Sequence, residues 1–360
     1  LKHLSERRRT LAVVICACLL LGGCAAGDGT PERDASPTAT FTPTGDVLLI
    51  EGKPVRQVFI PDPSQGPLYA LTDELLFVRA GSGWEPTRTR NDGRQLLVDA
   101  LDPERVFRGN HPECALDPAA AAIPLEVSHD GGATWRTLPQ GENIRPLAID
   151  PETPETIFGS FCWLAISTTA GNTWMRLQLM EEYPLEAIAL AGERLLVLGT
   201  AAEGGSRLAE VDIIDPNRPV LGDTLLDVDG RACLEADLDR IVVGAIDGVY
   251  VSDDGGLTWS ESRIGLEAVT AEAVPDPERP AGEEQPTDLG IRVVRIGRRV
   301  EHRIYAGTAH GLFISQDDGA TWVRYEEIPP TAVVDDIQFG GDGADLYVTT
   351  ADGVVVIPSP

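Results

Sequence analysis

Three times along the chain the same octapeptide returns: Ser128-His129-Asp130-Gly131-Gly132-Ala133-Thr134-Trp135, Ser252-Asp253-Asp254-Gly255-Gly256-Leu257-Thr258-Trp259 and Ser315-Gln316-Asp317-Asp318-Gly319-Ala320-Thr321-Trp322. A fourth copy, Ser167-Thr168-Thr169-Ala170-Gly171-Asn172-Thr173-Trp174, lacks the aspartate. Recurrence at related spacings is the mark of a repeat architecture. The pattern has the chemistry of a turn. Ser and Asp side chains bond to nearby backbone groups and hold a tight reversal without a strand ladder. Gly132, Gly256 and Gly319 supply a positive φ that a Cβ disfavours. Each Trp then opens the next strand with a large apolar surface for the gap between sheets.

These residues resemble the Asp box, or bacterial neuraminidase repeat, of sialidases, sortilin ectodomains and photosystem II assembly-factor propellers. The resemblance implies a β-propeller in which the boxes are peripheral structural turns. Asp130, Asp254 and Asp317 are therefore expected to carry no catalysis, and a shared fold names no reaction.

The Trp positions measure the blades. Trp135 and Trp174 are 39 residues apart, the length of one four-stranded blade. Trp174 and Trp259 are 85 apart, which makes two blades, one without a box. The 63 residues from Trp259 to Trp322 hold one blade and an insertion around Glu272–Leu289, assigned to the link between its first and second strands and hence to the box end. A shorter blade precedes Trp135. After Trp322 only three strands remain, and Asp46–Ile50 supplies an extra strand at the other end to complete the ring. The expected fold is all-β: a seven-bladed propeller of four-stranded antiparallel blades, spanning 46–360 and closed by its own termini.

The first residues read as an address. Lys2 and Arg7–Arg9 precede the apolar run Leu11–Leu21, too short to span a bilayer and ending in small residues, which reads as a signal peptide over 1–23. Leu21-Gly22-Gly23-Cys24 resembles the lipobox of bacterial lipoproteins, which implies cleavage before Cys24 and diacylation of its sulfur; an ordinary secretory signal is the other reading. Two acyl chains on one residue anchor stably. Residues 24–45 are poor in large apolar side chains and read as a disordered tether. These features place the protein on the extracytoplasmic side of a bacterial cell membrane.

Net charge is −28, and −31 without the N-terminal segment. Such a balance argues against nucleic acid and against anionic headgroups, both of which reward clustered Lys and Arg. Of six cysteines, Cys16 and Cys18 leave with the signal and Cys24 takes the lipid. Cys114 and Cys162 follow the second strands of adjacent blades, so a bridge between them is one reading and two thiols the other. Cys233 is expected to be buried in a strand.

For a site, the ends of the blades opposite the boxes are the place to look. The loop Gly109–Pro124 holds His111 and Glu113, and the neighbouring blade offers Trp163, which stands outside every box. Trp163 reads either as an exposed aromatic contact or as packing against the next blade. His111, Glu113 and Cys114 lack metal-ligand spacing. The stretch containing Glu283-Glu284 is expected to neutralise Arg292, Arg295, Arg298, Arg299 and Arg303, unless those arginines dock an acidic partner. The arginine motif that opens sialidase sites has no match, since the corresponding strand reads Val55-Arg56-Gln57-Val58.

The resulting expectation is a non-catalytic, membrane-anchored, monomeric propeller that binds a protein or glycan of the cell envelope or helps to assemble a complex, without cofactor, metal or nucleic acid. The alternatives are a glycoside hydrolase of the sialidase type, and a sortilin-like peptide binder with an apolar central tunnel.

Overall fold

The computed structural model describes residues 13–15, 46–60, 67–81, 83–110, 122–177, 183–191, 194–201, 204–266, 288–297, 302–340 and 345–358. They form seven antiparallel sheets in a ring, the seven-bladed propeller expected. The strands of each blade run in order from a first at the centre to a fourth at the rim, and each pairs with its sequence neighbour except at the fourth strand of blade 7. The first strands are Lys53–Phe59, Gln95–Val98, Arg145–Ile149, Leu185–Ala191, Cys233–Asp237, Ile291–Ile296 and Val334–Phe339. First strands pack against one another between blades 2 and 3, 4 and 5, 5 and 6, 6 and 7, and 7 and 1, and so build much of the wall of the central tunnel.

The core is divided, one hydrophobic cluster for each junction between blades. Strand alternation produces this directly, because successive side chains leave opposite faces of a sheet. In Leu185–Ala191, Ile188 and Leu190 pack towards blade 3 with Leu147 and Phe158. Ala187, Ala189 and Ala191 pack towards blade 5 with Leu234 and Ile241. A blade buries both faces, which is why its strands read as nearly continuous apolar runs.

The ring closes through the termini. Asp46–Val47 is the fourth strand of blade 7, paired with Gly353–Pro358 through Asp46↔Val356 and Val47↔Val355. The Leu48 amide continues the ladder to the Val354 carbonyl at 2.8 Å. The expected single strand Asp46–Ile50 is in fact two. Leu49–Ile50 turns back on Lys53–Phe59 through Glu51 and Gly52, both with positive φ (55° and 78°), so the segment serves blades 7 and 1 in turn.

The long insertion is a second correction. Its flanks, Leu266 and Asp288, join Ser260–Ser262 to Ile291–Ile296, which are the fourth strand of blade 5 and the first strand of blade 6. The strand after each box completes its own blade instead of opening the next. The insertion is therefore a blade-to-blade connection, and it leaves the ring at the end opposite the boxes.

One further strand was not foreseen. Val13–Ile15 adds antiparallel to the tunnel edge of Leu185–Ala191, making blade 4 five-stranded.

The boxes explain why the blades hold their shape. Ser128, Ser252 and Ser315 each accept the fifth-position amide on Oγ at 2.8 Å and donate to the box aspartate. That aspartate accepts both the amide and the hydroxyl of the box threonine, at 2.6–2.8 Å. Thr169 replaces the carboxylate in blade 3 and makes the same two contacts, to the Thr173 amide (2.9 Å) and hydroxyl (2.7 Å). The fourth-position amide reaches the carbonyl of the turn between the first two strands of its own blade: Gly131 to Glu104, Ala170 to Glu155, Gly255 to Asp239 and Asp318 to His302. At the fifth position a Cβ would strike the preceding blade, for example Thr89 beside Gly132 and Val251 beside Gly319, so only glycine fits.

Two measurements test this account. A chain beginning at residue 49 lacks the closing strand and should be less stable by about 1 kcal/mol per lost hydrogen bond; equal denaturant midpoints for this chain and one beginning at residue 25 would contradict closure by the termini. The second concerns acid. Hydrogen bonds from Thr134 hold Asp130 down to about 2, and those from Thr258 do the same for Asp254, against 3.8 for an ordinary aspartate. A depressed carboxylate stabilises the fold above the unfolded value, and that stabilisation is lost as pH falls from about 3.8 to about 2. Asp254→Asn should flatten the decline of melting temperature across that window, and Thr169→Asp should raise the melting temperature at neutral pH; an unchanged acid profile in Asp254→Asn would count against the box as a proton-linked clamp.

Candidate protein-binding face

Antiparallel connectivity sorts the connections. Turns joining first to second and third to fourth strands lie at the box end, while those joining second to third strands and one blade to the next lie at the other. The candidate face is this second end, where blades 3 and 4 meet.

Its centre is the turn between Ile157–Ser160 and Leu164–Ser167. The Phe161 amide donates to the Trp163 carbonyl at 2.9 Å, and Cys162 between them has φ 59°. The Cys162 carbonyl accepts the Leu185 amide at 2.7 Å, and Ser160 Oγ donates to the Leu185 carbonyl at 3.4 Å. The turn is thereby fixed to the first residue of blade 4. Phe161 and Trp163 meet edge to face at 6.3 Å. The Arg176 guanidinium lies 4.2 Å over Phe161 and donates to the carbonyls of Gln140 and Glu142, bracing the link from blade 2 to blade 3. Beside them Arg207 stacks on Tyr183 at 4.6 Å and pairs with Asp227 at 2.7 Å. Such stacked cations contribute about 0.5–2 kcal/mol each. Below the surface Arg145, 4 % exposed, donates to the Glu186 carbonyl at 3.1 Å.

Trp163 is half-buried and belongs to none of the hydrophobic clusters among the described residues, whereas Trp322 is 3 % exposed within one. The half-burial of Trp163 stands between its two sequence readings, an exposed aromatic contact and packing against the next blade. Tyr183, Arg176 and Arg207 were missed, because each is unremarkable in its own strand or connection and the cluster exists only across blades. Cys162 is disulfide-bonded, and Cys233 is a buried thiol in a strand, as expected of it, with its Sγ donating to the Gly244 carbonyl at 3.6 Å. Cys114, His111 and Glu113 lie outside the described residues, as does Cys24.

Six of the seven first strands carry charged residues, that of blade 2 being the exception. Five first strands slip register near their start, between Val55 and Gln57, Pro146 and Ala148, Leu185 and Ala187, Ile291 and Val293, and Val334 and Asp336. A bulge re-aims the extra residue, and four of these five are charged: Arg56, Glu186, Arg292 and Asp335. Arg56 forms a two-pronged pair with Asp73, and Arg292 reaches Asp335 at 2.6 Å. Deeper, Arg295 joins three blades, to Asp336 at 2.6 Å and Glu235 at 3.2 Å. Burial raises the Asp336 carboxyl above the usual range in spite of Arg295. Arg292 and Arg295 thus bridge to neighbouring first strands; Arg298, Arg299, Glu283 and Glu284 lie outside the described residues. Among the described residues no group of three or more His, Cys, Asp and Glu side chains could hold a metal ion.

The sequence model of the BNR/Asp-box repeat matches residues 250–261, the box of blade 5. No curated protein matches the sequence. Solved structures that are similar include YCF48 from Cyanidioschyzon merolae, with a TM-score of 0.54 at 12% identity over 86% of this chain and 97% of that one. The β-propeller domain of Myceliophteria thermophila Cps50 (Swd1) gives 0.58 at 13% identity over 87% and 98%. U3-55K gives 0.54 at 13% identity over 87% and 98%. At these identities the likeness is one of fold.

Proposed function

We propose that this chain is a lipid-anchored, extracytoplasmic propeller that binds a protein of the bacterial cell envelope and contributes to assembling a complex, without catalysis of its own. The observation that supports this most is the grouping of Phe161, Trp163 and Tyr183 with Arg176 and Arg207 where blades 3 and 4 meet, tied by backbone bonds to blade 4 and with none of the five side chains fully buried. Aromatic residues and arginine are the types that dominate binding energy at interfaces. The most prominent carboxylates are already engaged: those of the boxes in turns, and Asp335, Asp336 and Glu235 in ion pairs. Anchoring rests on the lipobox reading of Cys24, with residues 25–45 as the tether that presents the face.

Capture from native membranes tests the proposal, with wild-type and Trp163→Ala proteins at equal loading. One envelope protein should be retained by the wild type and fall at least tenfold with Trp163→Ala, while the melting temperature stays within a few degrees. Equal retention by both would remove the face from the account. Turnover of a glycan in a hydrolysis panel, lost on substituting a carboxylate of this face, would replace the binding role with the glycosidase one.

A further inference from the structure

Val13–Ile15 singles out one edge of the ring. It lies at the tunnel edge of Leu185–Ala191 in antiparallel register, Val13↔Leu190, Val14↔Ala189 and Ile15↔Ile188, and against Arg145–Ile149 of blade 3. It comes from more than a hundred residues away in sequence and is no part of the ring, which closes within residues 46–358. Among the described residues the only other fifth strand, Leu49–Ile50 on blade 1, is a local hairpin.

Blade 4 differs from its neighbours in the character of this edge. The first strands of blades 3, 5, 6 and 7 carry Arg145, Glu235, Arg295 and Asp336, and that of blade 2 is only Gln95–Val98. The first strand of blade 4 carries Glu186 near its start and then Ala187-Ile188-Ala189-Leu190-Ala191, the longest run without charge among the first strands, in which three residues are alanine. An open strand edge of this kind is a template for another strand. The edge faces the centre of the ring, where a single extended strand, Val13–Ile15, is seen to lie.

We propose that the tunnel edge of blade 4 is a docking site for an extended, uncharged apolar peptide of the partner protein, which adds as a fifth strand and takes the place that Val13–Ile15 holds in the unprocessed chain. The site deepens the binding role proposed above and rests on it. The occupant's chemistry follows from the segment seated there, Val-Val-Ile, and from the edge itself: backbone groups provide the attraction and the absence of charge sets the preference. Removal of residues 1–23 frees the edge, so competence to bind arises with processing.

The probe is a labelled, acetylated Leu-Ala-Val-Val-Ile amide, corresponding to residues 11–15. It is titrated by anisotropy into a chain beginning at Ala25 and into the full chain carrying Cys24→Ala, which keeps residues 1–23 in place. Binding should be at least tenfold tighter to the chain beginning at Ala25, and at least tenfold weaker for the peptide with Val14→Pro. Amide exchange should slow at least tenfold within Leu185–Ala191 and stay unchanged in the other first strands. Equal affinity for both chains, protection elsewhere in the ring, or no binding would each overturn the proposal. Peptide binding that fails while Trp163-dependent capture persists removes this site alone; capture that fails while peptide binding persists removes the partner reading of the outer face alone.

Discussion

The hydrogen bond from the fourth residue of each box to the turn between the first two strands of its blade is the constraint on which the ring depends. It ties the rim hairpin of a blade to its central hairpin at one end. The glycine that follows lies so close to the preceding blade that a Cβ cannot be accommodated, at Gly132 against Thr89 and at Gly319 against Val251. A single turn thus sets the height of one sheet and its distance to the next. Blade 3 shows that this depends on hydrogen-bond acceptance and not on charge, since Thr169 reproduces the contacts of the missing aspartate. Blade 4 has no box at all. Its outer turn is held by Asp212 and Asp215, which accept the Ile214 and Asn217 amides, and Arg194 reaches across to the Gly255 carbonyl of the next box.

This division of labour separates the two ends of the molecule. At the box end the polar side chains of the turns satisfy one another, and Leu101, Ile214, Leu238 and Leu257 stand exposed singly between them. At the other end the insertions, the aromatic residues and the arginines accumulate. The link between blades 5 and 6 belongs to this end once the strands are seen, as does the turn carrying Phe161 and Trp163.

Much of the fold was legible because its determinants are local. Spacing of the four Trp residues set the blade length, and the unmatched strand at 46–50 foretold closure. The misplaced insertion has a simple physical origin: Ser260–Ser262 is short and polar, so without its ladder partner it could not be recognised as the fourth strand of blade 5. The site was less legible. Trp163 stood out because it lies outside every box, but Arg176, Tyr183 and Arg207 gather only when blades 2, 3 and 4 come together. The ion-pair network of Arg295 likewise joins three blades, and its arginine seemed in sequence to belong with the acidic insertion.

The central claim is that partners are met at the end opposite the boxes. Site-specific photocrosslinking from the two ends in native membranes tests it most directly, with the reactive group at position 163 or at position 257, where Leu257 is 83% exposed on the box of blade 5. The account predicts a discrete adduct to an envelope protein from position 163 and none from position 257. An adduct from position 257 alone would contradict it.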